Sequence, residues 1–198
     1  MKIDYLIGLL VCFYFFFLGW LSGHGFDLRN LLRSKKRKGR LFEEYIVSLF
    51  IWEEYKFFRL KDWRSDKKFK NITPESNTYP DLQYKYEHGN FIYEFAIECK
   101  FRNVNKALKS RKNSEGKVYK WLYFSKYQIE NYRKYQIENK IPVYLAIGLG
   151  VNPARVYELY LVPLDEMKDN GISYERLKRF YRHPEKKFYL VEASRVLK

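Results

Sequence analysis

The chain of 198 residues has few of the side chains that build disulfide frameworks or zinc sites, with two cysteines and three histidines. Cys12 lies in an apolar run and Cys99 in a predicted strand, so we expect no disulfide between them, as in a reducing compartment. His24, His88 and His183 have no cysteine or histidine partner at the spacing of a zinc site. These shortages argue against a disulfide-stabilised domain and against a structural zinc centre.

The chain also lacks the glycine-rich motifs that bind nucleotides. It contains no G-x-x-x-x-G-K-S/T motif, which argues against an NTP-driven motor. Gly148-Leu149-Gly150 follows a predicted strand, but the next residues do not complete a dinucleotide-binding fingerprint.

Acidic residues are scarcer than basic ones, 23 against 38, so the formal charge is +15. This balance indicates a polyanionic partner, either nucleic acid or anionic lipid. Seven basic residues and no acid lie between residues 29 and 40, and the remainder still has 31 basic against 23 acidic residues. The basic block has two interpretations. It is a topology signal that attracts anionic headgroups, at about 1 kcal/mol per charge, or an arm that also binds DNA phosphates.

Residues 5–26 contain no Asp, Glu, Lys or Arg. The most apolar part, residues 5–21, would span about 26 Å as a helix, close to the ~30 Å of a bilayer core. The basic block after it predicts, by the positive-inside rule, a single-pass anchor with the amino terminus outside. The alternative is a cleaved signal peptide, which would carry its charge before the apolar run, where Lys2 is offset by Asp4. We therefore predict a transmembrane anchor at 1–28, a basic juxtamembrane segment at 29–40, and a soluble domain at 41–198 on the cytoplasmic side of the inner or cytoplasmic membrane.

The pattern of the soluble part predicts a mixed α/β domain. Residues 141–149 are continuously apolar, as expected for a strand buried on both faces. Residues 125–139 have helical spacing with Ser125 as the N-cap. The polar, lysine-rich residues 103–117 are expected to form a loop. The other expected elements are strands at 55–60, 156–163 and 187–191, a helix at 173–182, and a loop at 61–79.

The most informative segment is a predicted β-hairpin with two acids and a lysine. Residues 91–101 alternate strictly, which places Glu98 and Lys100 on one face of a strand. A turn at His88-Gly89-Asn90 would fold the chain back and put Asp81 roughly opposite Glu98 and the residue before it. Two such carboxylates repel each other unless a cation lies between them, and Mg²⁺ is the usual solution. With Lys100 near enough to orient or polarise a water, this is the chemistry of phosphodiester hydrolysis.

Pro80-Asp81 and Glu98-Cys99-Lys100 resemble the catalytic motif of the PD-(D/E)xK nuclease superfamily, which includes restriction endonucleases and Holliday-junction resolvases. Glu-x-Lys occurs six times in the chain, but only the Glu98 copy follows a period-two apolar run with Pro-Asp upstream. The resemblance implies a restriction endonuclease-like α/β fold, a mixed β-sheet flanked by helices, here preceded by one N-terminal transmembrane helix. It also implies that Asp81 and Glu98 bind Mg²⁺ or Mn²⁺, with the carbonyl of Ile97 or Cys99 as an additional ligand. Lys100 would position or activate the water.

Two further motifs extend the resemblance. Gly39-Arg40-Leu41-Phe42-Glu43 matches the G-x-x-F-E start of the helix before the catalytic hairpin, which makes Glu43 the candidate third metal-binding acid, with Glu44 as the alternative. Glu43 also fits a simpler role at the positive end of its helix. Gln128 and Tyr132 match the Q-x-x-x-Y pattern of RecB-type nucleases and share a helix face, where they would contact a DNA backbone or support the lysine. The alternative is a core tyrosine with a surface glutamine.

Four basic side chains after the lysine strand are candidates for nucleic-acid binding: Lys106, Lys109, Arg111 and Lys112. A solvated charged face is the alternative. DNA is the expected partner, with RNA as the alternative. Many relatives of this fold act as dimers, but no interface signal in the sequence ranks a homodimer.

Together these features predict a membrane-anchored, Mg²⁺-dependent deoxyribonuclease. The first alternative is a non-catalytic nucleic-acid-binding module of the same fold that tethers DNA or RNA to the membrane. A third interpretation, from another class, is a basic scaffold at the membrane surface that binds lipid or a protein partner.

Overall fold

The computed structural model describes residues 35–50, 57–62, 79–112, 114–153, 155–191 and 196–197. The chain divides into two compact units, Met1–Arg37 and Lys38–Lys198, and the sheets and the site belong to the second. The predicted transmembrane anchor lies outside the described residues, as do residues 29–34 of the predicted basic segment. Within the described ranges, no helix is long and apolar enough to cross a membrane.

The described part of the chain forms four α-helices and eleven β-strands. The helices are α1 (Lys35–Ser48), α2 (Val104–Ala107), α3 (Lys126–Asn139) and α4 (Tyr174–Leu177). The longer strands are β1 (Phe57–Asp62), β2 (Leu82–His88), β3 (Phe91–Asn103), β4 (Leu108–Lys112), β5 (Val118–Tyr123), β6 (Val143–Asn152) and β7 (Arg155–Pro163). The shorter strands are β8 (Gly171–Ser173), β9 (Tyr181–Arg182), β10 (Leu190–Val191) and β11 (Val196–Leu197). Single turns of 3-10 helix lie at Leu164–Glu166 and Lys178–Phe180.

The main sheet has six strands in the order β1-β2-β3-β6-β7-β9. It is a mixed sheet, since β3 and β6 run parallel while the other neighbours run antiparallel. The predicted strand at 141–149 corresponds to β6, whose first eight residues are buried, as expected between two covered faces. Parallel strands require a long crossover connection between them. The connection from β3 to β6 is of this kind and carries α3.

Helices cover both faces of this sheet. Phe42 and Ile46 of α1 pack with Ile97 of β3 on one face. Ile129 of α3 packs with Ala96 of β3 on the other. Because neighbouring residues of one strand join opposite clusters, the alternation read from the sequence of β3 is confirmed. The fold is therefore a strand-rich mixed α/β fold, compatible with the restriction endonuclease-like architecture that the sequence predicts.

Close contact between α1 and the sheet depends on Gly148 of β6. A Cβ at this position would lie 2.3 Å from Cε2 of Phe42. The Phe42 ring therefore occupies the space that any larger side chain at position 148 would need.

The expectation of a loop at residues 103–117 is wrong. This stretch contains α2, β4 and the turn before β5, and β4, β5 and β8 form a second, three-stranded sheet. The side chains from Lys109 to Lys112 are all exposed, so β4 lacks the alternation of apolar and polar residues that marks a half-buried strand. Its sequence therefore resembles that of a polar loop.

Other boundaries also differ from the expectations. Helix α1 begins at Lys35, before Gly39, and β1 is shifted to Phe57–Asp62. The helix expected over 173–182 is one short α-helix and a 3-10 turn that ends in β9, because Tyr181 pairs with Tyr160 of β7. The strand expected at 187–191 is reduced to β10, which pairs with β11.

Candidate active site

The two candidate acids meet because a tight hairpin joins β2 and β3. His88 pairs with Phe91 across a two-residue turn, in which Gly89 has a φ of 57°, in the left-handed region that favours glycine. The same register pairs Leu82 with Ile97, so Asp81, directly before Leu82, lies beside Glu98. The placement of Asp81 that the sequence predicts is confirmed.

Asp81 is held against the strand that carries the other candidate residues. Its side chain is buried, with 4% of the residue exposed, and its Oδ2 accepts a hydrogen bond from the backbone N–H of Cys99 at 2.9 Å. The acid is therefore oriented by the backbone of β3 itself.

The buried Glu98 and the largely buried Lys100 form an ion pair. Nζ of Lys100 donates to Oε1 of Glu98. The side chain of Lys100 is 12% exposed and that of Glu98 is 3% exposed. A buried carboxylate without a nearby cation costs several kcal/mol. The pair is possible at this depth because alternate residues of one strand place both side chains on the α3 face of the sheet.

Tyr132 of α3 completes the contacts of this pair. Its hydroxyl oxygen lies 3.5 Å from Nζ of Lys100. Burial raises the pKa of Tyr132, and so do the charge of Glu98 and the hydrogen bond that the hydroxyl donates to it. The hydroxyl therefore stays protonated across the ordinary pH range. The structure thus places Tyr132 of the Q-x-x-x-Y match at the lysine, while Gln128 lies half-buried one turn earlier on α3.

Arg102, which no motif in the sequence singles out, follows Glu98 and Lys100 on the same face of β3. Its guanidinium lies 5.6 Å from the ring centroid of Phe124, and its Nη1 donates to the carbonyl of Phe101 at 3.2 Å. Burial lowers the pKa of Arg102, and the negative charge of Glu98 opposes this shift. The strict alternation of β3 extends to position 102, and it therefore predicts that Arg102 shares a face with Glu98 and Lys100.

The donor set at the hairpin suits a hard divalent cation. Asp81 and Glu98 supply carboxylate oxygens, the ligands that Mg²⁺ and Mn²⁺ prefer, and both are nearly inaccessible to solvent. No group of three or more His, Cys, Asp or Glu side chains suited to a metal ion occurs among the described residues. Glu43 belongs to α1, whose apolar side chains pack on the sheet face opposite α3. Its role as a third ligand stays a prediction.

The four basic candidates after the lysine strand lie on two elements. Lys106 is on α2, and Lys109, Arg111 and Lys112 are on β4. All four side chains are exposed. The last three belong to the second sheet, Lys106 belongs to the helix before it, and none of the four belongs to the hairpin.

Comparison with known proteins yields no family for this chain. A scan against models of protein families finds no match, and neither does a search of curated proteins. Among solved structures, the chain is similar to the Holliday junction resolvase Hjc of the archaeal hyperthermophile Archaeoglobus fulgidus, at 16% identity and a TM-score of 0.41. The match covers 77% of this chain and 99% of the resolvase.

Proposed function

We propose that this chain is a metal-dependent nuclease that hydrolyses phosphodiester bonds of DNA. The observation that carries the proposal is the β2–β3 register, which brings Asp81 beside Glu98 and Lys100. Two buried carboxylates and one largely buried amine at the same point of a sheet are costly for stability, so they favour a chemical role over a structural one. The net charge of +15 suits a polyanionic substrate.

Each residue has a specific role in the proposal. Asp81 and Glu98 hold Mg²⁺ or Mn²⁺, with the carbonyl of Ile97 or Cys99 as a further oxygen ligand. When bound, such an ion activates water and stabilises negative charge on the scissile phosphate. Lys100 orients the attacking water through its amine, which Glu98 and Tyr132 keep in place.

Arg102 extends the proposed substrate path along β3. Its guanidinium carries a charge close to Glu98, and its described polar contact is to the neighbouring carbonyl of Phe101. A planar guanidinium binds phosphate oxygens in a bidentate manner. We assign it to the phosphate next to the one that is cleaved.

The nuclease proposal is tested by Mg²⁺- or Mn²⁺-dependent cleavage of linear, circular and branched DNA by the full chain in detergent. Wild type should cut with either ion and not in EDTA, while Asp81→Ala and Lys100→Ala should not cut. The matched control is Lys168→Ala, which removes an exposed lysine from another Glu-x-Lys copy, Glu166-Met167-Lys168. Cleavage that survives in Lys100→Ala would contradict the assignment. Folded wild type that binds DNA without cutting it would favour the tethering module.

Thermal unfolding separates loss of the site from loss of the fold. Without Lys100, Glu98 keeps its buried charge with one cation fewer, which costs roughly 3–5 kcal/mol in comparable sites. A divalent cation should replace the missing positive charge, so Mg²⁺ should raise the melting temperature of Lys100→Ala more than that of wild type. An equal shift in both proteins would argue against metal binding at Glu98.

The membrane anchor is the second part of the proposal and rests on the sequence. In cells, the full chain should stay in the membrane fraction after alkaline carbonate extraction. Phe15→Arg places a charge within the apolar run, at a cost of about 2.5–3.5 kcal/mol for insertion, and should release part of the protein. Extraction of the unaltered chain would contradict the anchor.

A further inference from the structure

The second sheet presents basic and aromatic side chains on one face. In the β4–β5 register, Lys109 pairs with Trp121 and Arg111 pairs with Tyr119. Directly paired residues lie on the same side of a sheet, as do residues two apart on one strand. The face therefore carries Lys109, Arg111, Tyr119, Trp121 and Tyr123, and we refer to these five residues as the basic aromatic face.

Two aromatic rings of this face lie next to each other and are nearly parallel. The centroids of Trp121 and Tyr123 lie 6.1 Å apart, with an angle of 24° between the ring planes. Both rings extend over Gly171 of β8, where a Cβ would lie 3.1 Å from Cδ1 of Tyr123 and 3.4 Å from Cε3 of Trp121. The glycine therefore leaves room for the rings to lie close to the backbone of β8. Both rings remain partly exposed.

Cations border these rings. The guanidinium of Arg111 lies 5.5 Å from the ring centroid of Trp121, and Nζ of Lys117 lies 5.6 Å from that of Tyr119. Neither β4 nor β5 contains an acidic residue. A groove of about 520 Å³ runs along this surface. Its lining residues are Arg111, Lys112, Ser114, Tyr119, Trp121 and Ser173.

Arg102 contacts the chain segment that continues from β5. The guanidinium of Arg102 lies over Phe124, the residue that follows β5, and Arg102 shares its strand face with Lys100. The same chain segment leads from β3 through the single turn of α2 into β4. Phe124 is buried in the core beside Leu122, so Arg102 contacts this segment from the side opposite the basic aromatic face.

We propose that the basic aromatic face binds single-stranded nucleic acid, with bases stacked on Trp121 and Tyr123 and phosphates bound by Lys109 and Arg111. Base faces are hidden in a duplex and accessible in a single strand, and proteins that bind single strands combine aromatic stacking with a positive groove. The proposal shares with the nuclease assignment only the choice of nucleic acid as ligand and requires no cleavage.

The test measures binding of the full chain in detergent and EDTA, so that cleavage does not occur. Fluorescence anisotropy would follow a labelled DNA single strand of about 20 nucleotides and the matching duplex. Trp121→Ala should weaken single-strand binding about 5- to 160-fold, the range found for loss of one stacked base, and change duplex binding much less. Trp121→Phe should keep most of the affinity. Tyr157→Ala, which removes an aromatic residue of β7 that is 54% exposed, is the matched control and should change neither.

Arg111→Ala provides a second variant that removes an exposed side chain without opening the core. It should lower the slope of log affinity against log salt by about 1, and Lys186→Ala, also exposed, should not. Unchanged single-strand binding in both Trp121→Ala and Arg111→Ala would overturn the proposal. Equal losses for single strand and duplex would do the same, as would affinity for phosphatidylglycerol vesicles without affinity for the single strand. Cleavage with unaltered binding in Trp121→Ala would refute this inference alone, and binding without cleavage would refute the nuclease alone.

Discussion

Oδ2 of Asp81 accepts the backbone N–H of Cys99 at 2.9 Å, which attaches the first acid to the strand that carries the second. The contact joins a side chain to a backbone group, so it survives any substitution of Asp81 that keeps an acceptor oxygen. This property separates the structural contribution of Asp81 from its proposed contribution to metal binding.

Asp81→Asn should keep the fold and lose cleavage. The amide oxygen can still accept from Cys99, but it lacks the negative charge that binds a divalent ion, so we expect cleavage to fall by at least about 100-fold. The melting temperature should stay within a few degrees of wild type. Asp81→Ala is the control, because it leaves the buried amide without this acceptor at a cost of about 1–3 kcal/mol. Full cleavage by Asp81→Asn would remove Asp81 from the site.

Tyr132→Phe should slow catalysis without loosening substrate binding. The substitution keeps the buried ring and removes the hydroxyl that contacts Lys100 and Glu98. We expect kcat to fall roughly 10-fold with KM nearly unchanged, which is smaller than a general acid or base would cost. Tyr135→Phe is the matched control on the same helix, since that hydroxyl donates to Gln83 at 3.2 Å and not to the ion pair. Equal kinetic effects of both variants would argue against a positioning role for Tyr132.

Gly148→Ala should destabilise the domain. The added Cβ would lie 2.3 Å from Cε2 of the fully buried Phe42, and overpacking of this kind costs about 1–3 kcal/mol. Urea unfolding should show that Phe42→Leu recovers part of the loss in the double variant. Gly39→Ala is the matched control, because its Cβ would meet Oε1 of Glu43 at an ordinary 3.8 Å. Within α1 that change should stabilise by about 0.5–1 kcal/mol. Additive losses in the double variant would contradict the contact.

The free energy of unfolding should fall between about pH 10 and pH 12, partly because of Tyr45. Burial raises its pKa from 10.0 to about 12, Arg182 lowers it, and Glu185 raises it. Below pH 10, the hydroxyl is protonated in both folded and unfolded chains, so its contribution is complete. Above pH 10, the unfolded chain loses the proton first, and the contribution is lost as the pH passes 12.

Chemical denaturation at several pH values checks this prediction with Tyr45→Phe. The variant should have a lower free energy of unfolding at pH 8, because the hydroxyl no longer donates to the carbonyl of Pro184. It should then lose less stability than wild type from pH 10 to 12. A remaining slope is expected from Tyr135, whose pKa burial also raises to about 12. Parallel curves for wild type and Tyr45→Phe would contradict the assignment.

Local periodicity predicts much of the main sheet. The alternation in β3 and the apolar run of β6 each identify a strand. Consecutive residues of a strand face opposite sides of the sheet, so their polarity indicates whether one face or both faces are buried. The position of Asp81 follows from the hairpin turn, which sets the register over a short distance. These features depend on neighbouring residues and therefore show in the sequence.

Contacts between distant segments are harder to predict. Strand β4 is recognisable only through its pairing with β5, since its own side chains from Lys109 to Lys112 are exposed. β5 pairs with β8, so that Trp121 lies opposite Ser173. These residues are far apart in the chain, and no local sequence pattern predicts their pairing. Tyr132 was found by motif, but its contact with Lys100 depends on how α3 crosses the sheet. The predicted role of Glu43 depends in the same way on where α1 lies on the sheet.

The alternation along β3 has a genetic consequence. Odd-numbered positions such as Phe95 and Ile97 face the apolar core under α1, whereas even-numbered positions such as Glu98 and Lys100 carry the proposed chemistry. Substitutions at adjacent positions should therefore inactivate the protein in two ways, by loss of the folded state or by loss of the proposed activity. Core lesions lower the amount of folded protein and should be partly suppressed by growth at lower temperature. Lesions at Glu98 or Lys100 should remain null at every temperature at which the protein accumulates.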